Sequence, residues 1–124
     1  MNRDTLLEKA INEVVGREEE KETKLVKVYQ AKIDTPYVFF DFDVAYKRFD
    51  FEKDYNKVYE RETEVGKDHA LDDIFEMGNI GELQQYADRM RSISVSDIIE
   101  IDDKFYYVEG FGFKDITSYI KNGK

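Results

Sequence analysis

The sequence predicts an α+β fold: a small antiparallel sheet of about four strands, several short helices against it, and an N-terminal amphipathic helix. Three observations carry this. Short runs rich in β-branched and aromatic residues alternate with turn signals. Beyond residue 20, every stretch with helical cadence is short. The 124 residues leave room for one core.

The elements follow in order. Leu6, Leu7, Ala10, Ile11, Val14 and Val15 recur at helical spacing, so residues 3–15 read as an amphipathic helix. Asp4 or Thr5 can cap it and Gly16 can stop it. Residues 17–24 are almost wholly charged and read as a solvated last turn or a linker. The chain thus divides into a helical element within residues 1–20 and a single α+β domain over 25–124. Residues 25–33 read as a strand, ended by Asp34-Thr35-Pro36, because a proline disfavours helix before it.

Residues 37–51 hold Tyr37, Phe39, Phe40, Phe42, Tyr46, Phe49 and Phe51, a stretch expected mostly in the core. A short helix over 41–48 fits, capped by Asp41 or Asp43. Residues 55–62 alternate as a strand with one partly wet face. Residues 66–69 read as a loop and 70–77 as a helix, broken by Gly78 and Gly81. A second short helix spans 81–90 with Leu83, Tyr86, Ala87 and Met90 inward. Ile98, Ile99 and Ile101 mark a strand, Asp102-Asp103 a turn, and 105–109 the returning strand. Residues 113–121 read as a terminal helix.

Charge and composition narrow the function. The net charge is −9, and acids exceed bases in both halves. Phosphate neutralisation needs a basic surface, so direct nucleic-acid binding is not expected. There is no Cys, hence no thiolate metal site, and His69 is the sole histidine. No apolar run is long enough to span a membrane, and no secretory leader is legible, so the cytoplasm is the expected location.

Adjacent acids such as Asp41 with Asp43 or Asp72 with Asp73 arise readily among 28 acidic residues and give no catalytic spacing. The acids at 41–54 lack the glycine and the spacing of a calcium loop. No nucleophile-elbow pattern surrounds Ser92, Ser94, Ser96 or Ser118. No enzyme activity, cofactor or metal is therefore expected. The acids and aromatics suit a binding surface for a basic protein, since aromatics concentrate at binding hot spots. The candidate contact residues are Asp41, Asp43, Asp50, Glu52 and Asp54 in the aromatic segment, Asp72, Asp73 and Glu76 on the following helix, and Phe111 if it faces solvent.

Leu71-Asp72-Asp73-Ile74-Phe75, Arg91-Ser92-Ile93-Ser94-Val95-Ser96-Asp97-Ile98-Ile99, Tyr106-Tyr107-Val108 and Gly112-Phe113-Lys114 together resemble the YodL-like domain. Lys27-Val28-Tyr29 and Val58-Tyr59-Glu60 look similar to its first strands. The resemblance implies a setting on conjugative elements, plasmids and phages, and implies no catalytic activity. Within it, Ser94 or Ser96, Asp97 and Gly112 are expected to act structurally, as caps and as a special dihedral. Such a setting suggests an anti-CRISPR or antirestriction inhibitor whose negative charge occupies a basic surface, a CRISPR nuclease being the favoured partner. The alternative is a non-catalytic accessory or scaffold module in conjugation or plasmid maintenance.

Overall fold

The structure, a computed structural model, describes residues 20–121. The N-terminal helix expected over residues 3–15 lies outside them. The described elements run β1 (Lys21–Ala31), α1 (Phe42–Ala45), α2 (Phe51–Asp54), β2 (Tyr55–Gly66), α3 (Ala70–Asn79), a 3-10 turn (Leu83–Tyr86), β3 (Ile98–Ile101), β4 (Lys104–Val108), β5 (Phe113–Asp115) and α4 (Thr117–Lys121). The strands form one antiparallel sheet in the order β2-β1-β3-β4-β5. The α+β class stands, with five strands.

Alternation along the strands sends side chains to both faces, and both faces are covered. On one face Val26, Val28, Ile99, Ile101 and Val108 pack under Ile74 of α3, with Leu83, Met90 and Ile93. On the other, Ala31, Tyr55, Ile98, Phe105 and Tyr107 pack under Tyr37, Phe42, Ala45 and Ile116. This second cluster is largely aromatic. Phe42 meets the rings of Phe49, Tyr107 and Tyr119 edge-on, at 5.3, 5.0 and 4.8 Å. Such contacts add to plain burial.

Several boundaries differ from the sequence reading, each for a physical reason. β1 begins at Lys21, so residues 21–24 are strand and not linker. Their charges are tolerated because this end of the β1–β2 ribbon is largely exposed, and Lys24 pairs with Glu22 and Asp102 at 3.2 and 2.8 Å. β2 runs on to Gly66, and α2 is an extra turn that the alternation did not reveal. A register shift opposite Val28/Tyr29 leaves Val58 as the additional residue of a bulge. Val58 and Tyr59 consequently both join the α3-side cluster, which strict alternation forbids.

The stretch 81–90 forms only the 3-10 turn, and Tyr86 points outward beneath the Arg61 guanidinium, 3.7 Å from its ring centre. Residues 113–115 are a fifth strand and not the start of the terminal helix. The Asp102-Asp103 turn is as expected: both residues have positive φ, the signature of a two-residue type I′ hairpin.

Gly78 does not break α3 but lies inside it, buried against the 90–93 segment. A Cβ there would stand 2.4 Å from Ile93 Cδ1 and 2.6 Å from its Cγ1. Gly78→Ala therefore sets a helix-propensity gain of about 1 kcal/mol against a larger overpacking cost. Chemical denaturation is expected to show a net loss of about 1 kcal/mol. Ile93→Val, which removes the nearest methyl, should make the double variant more stable than the sum of the two singles predicts.

A candidate protein-binding surface

The serine-rich segment 91–97 is the structural hub. Asp97 is 0% exposed, and its carboxylate accepts from Ser94 N–H (2.8 Å), Gln30 Nε2 (3.1 Å) and Arg91 Nη1 (3.3 Å). Arg91 Nη2 donates to the Ala31 carbonyl at 2.6 Å, and Gln30 holds the Arg91 backbone through both ends of its amide. Burial pushes the Asp97 carboxyl up to about 6, against the Ser94 N–H, the Arg91 charge and Gln30, which favour the anion. Ser96 is buried with φ of 85°; it accepts from Phe39 N–H through Oγ and from Tyr55 Oη through its carbonyl. These residues staple β1, the aromatic segment and the start of β3 together. Their role is architectural, as Gly112 with its φ of 82° also is.

The hub displays a patch beside it. The Gly110 N–H donates to Asp41 Oδ1 (2.8 Å), the Phe42 N–H to Glu109 Oε2 (3.1 Å), and Tyr107 Oη to the Phe40 carbonyl (2.6 Å). This reciprocal latch ties loop 39–42 to the β4–β5 turn. Phe39, Phe40 and Val44 are exposed on one side of it, and Phe111, 99% exposed, tops the other. Its neighbour Phe113 instead packs, its ring meeting Phe75 edge-on at 6.2 Å. Asp43, also exposed, gives this end further negative charge.

The acids singled out in the sequence do not form one face. Asp41 and Asp43 flank this patch. Asp50 caps α2 by accepting from Lys53 N–H at 3.0 Å, and Glu52 is exposed in the same turn. Asp54 is buried and accepts from Tyr37 Oη at 2.7 Å, so it is not available to a partner. That bond and, above all, burial raise the Tyr37 hydroxyl well above its usual range. Asp72, Asp73 and Glu76 lie on α3, across the sheet; Asp73 accepts from Gly66 N–H at 2.6 Å. Sequence reasoning missed Phe39, Phe40 and Val44 as surface residues because their segment is otherwise core. No local signal marked the two phenylalanines, because residues 36–40 form turns and a bend, where neither strand nor helix periodicity applies.

His69 stands exposed at the N-terminal boundary of α3 and makes no capping bond. No group of acids and histidine that could hold a metal occurs among the described residues. No helix among them is long and apolar enough to cross a membrane.

The architecture defines a class: an antiparallel α+β domain whose sheet is clad on both faces and whose β4–β5 turn carries an exposed aromatic cap. The sequence model of the YodL-like domain matches residues 11–119, and the chain belongs to that family. Neither a curated protein nor a solved structure matches it.

Proposed function

We propose that this domain is a non-catalytic binding module that docks on a basic protein through the aromatic end at 39–44 and 109–112. The carrying observation is Phe111: a phenylalanine 99% exposed, on a turn latched to two further exposed phenylalanines. Solitary exposed apolar residues need no explanation, whereas a cluster held rigid beside acids resembles a pre-organised hot spot. The net charge of −9 favours a cationic partner and steers the encounter. A setting on mobile elements makes a nucleic-acid-targeting defence effector, such as a CRISPR nuclease or a restriction enzyme, the target to test first. Such an effector carries a basic channel that an acidic protein can occupy.

Salt and charge reversal test the electrostatic half of this reading. Affinity for the effector should fall at least tenfold between low and moderately high ionic strength. Asp43→Lys should weaken it further, while Asp72→Lys, the same charge change across the sheet, should do so only slightly. Asp41 and Glu109 are unsuitable for reversal because both carboxylates build the latch. Salt-insensitive binding, or equal losses from the two reversals, would remove the electrostatic argument.

A further inference from the structure

The geometry points to a second surface: we propose that the outer edge of β2, over Glu60–Glu64, receives an extended cationic peptide segment of a partner protein as an added strand.

Among the described residues, β2 lies at the edge of the sheet and pairs only with β1. Its outward-facing groups follow from two bonds. Lys67 N–H donates to the Glu20 carbonyl, so residue 67 faces β1, while Gly66 N–H turns outward to Asp73. Alternation then turns the backbone groups of Glu64, Glu62, Glu60 and Val58 outward. The Val58 carbonyl accepts from Asp88 N–H at 2.8 Å. Both ends of the edge are thus closed by the protein itself. Between them, the outward N–H and C=O groups of Glu60, Glu62 and Glu64 have no backbone partner among the described residues. An unpaired edge of this kind is a template for strand addition.

The surroundings select the occupant. A groove of about 600 Å³ runs along this edge, walled by α3 and the 3-10 turn. Asp73, Glu76 and Glu82 line it, against Lys21 and Arg61, and the Arg61 guanidinium is stacked on Tyr86. Ile80 and Tyr86, 65% and 55% exposed, supply apolar floor. Side chains of an added strand alternate between the groove and the opposite face, where Glu60, Glu62 and Glu64 project. Both faces therefore favour Lys or Arg, with one apolar residue facing Ile80. The same acids repel a second copy of β2, which presents like charge. This surface lies toward the opposite end of the strands from loop 39–44, so the inference does not depend on the docking proposed above.

The probe is a capped peptide of about seven residues, all lysines but for one central valine, enough to span the open window. Binding should be followed by amide NMR on the full chain, with hydrogen exchange at Glu60, Glu62 and Glu64. Those three amides are expected to gain protection. Methylating the peptide's alternate backbone nitrogens should cost at least tenfold in affinity at unchanged charge. Glu62→Pro should do the same and leave the fold intact, because that N–H does not serve the β1 ladder. Equal binding of the methylated peptide would reduce the contact to charge attraction and overturn the proposal. So would protection of the same amides by self-association of the chain alone, which would assign the edge to a second copy.

Discussion

Replacing Asp97 by alanine is expected to destabilise the protein by about 3–5 kcal/mol, the cost of leaving a buried network without its acceptor. The carboxylate is the common acceptor for the Ser94 N–H, Gln30 and Arg91. Its loss strands the Ser94 N–H, takes the buried counter-charge from Arg91 and leaves a cavity, while Gln30 Nε2 keeps the Arg91 and Ser92 carbonyls. Asp97→Asn should cost less, since the amide oxygen still accepts from Ser94 while its NH2 faces other donors. Urea unfolding of the three proteins, read by near-ultraviolet circular dichroism, gives the order.

The pH dependence separates charge from shape. The folded carboxyl titrates near 6, above its unfolded value near 4, because burial opposes ionisation. The folded state thus binds this proton more tightly. Asp97 makes stability fall as pH rises from about 4 to 6, and acidification from neutrality should restore it. Asp97→Asn abolishes this contribution, so the variant's stability curve should be flatter than the parent's across that window. An unchanged slope would show that Asp97 is not the group responsible.

The second large effect concerns binding. Phe39→Ala combined with Phe111→Ala is expected to weaken partner binding by about a hundredfold or more, the loss typical of hot-spot aromatics. Unfolding stability should move by less than about 0.5 kcal/mol, because neither ring is in the core. The latch bonds that position this end come from backbone groups and from Asp41, Glu109 and Tyr107, which the variant retains. Thermal unfolding beside a binding isotherm distinguishes loss of a contact from loss of the fold. Phe42→Ala is the contrast: its ring is buried among Phe49, Tyr107 and Tyr119, so it should cost about 3–5 kcal/mol of stability first.

Much of the fold is legible in the sequence where local and tertiary preferences agree. Ile98–Ile101 and the strand after Asp102-Asp103 read correctly because β-branched residues flank a two-residue turn. The charged residues 21–24 read wrongly, since pairing with β2 and not composition makes them strand. Gly78 was misread for a tertiary reason: the close approach of Ile93 demands a glycine within the last turn of α3, and no local rule anticipates that. β5 is three residues long and is defined by its ladder to β4. The candidate surface was legible only in part. Phe111 between two glycines marked a tight turn with an exposed ring as one of its two readings, and Asp41 and Asp43 lie beside it. Asp54, by contrast, is buried on Tyr37, a partner seventeen positions earlier that spacing alone does not reveal.

The most direct measurement mixes the purified chain with a guide-loaded type II CRISPR nuclease, following DNA cleavage and co-migration on a sizing column. The parent is expected to co-migrate and suppress cleavage, and the Phe39→Ala/Phe111→Ala variant, equally folded, to do neither. Full cleavage without a complex would contradict this target. A variant that inhibits as well as the parent would contradict the claim that the aromatic end is the binding surface.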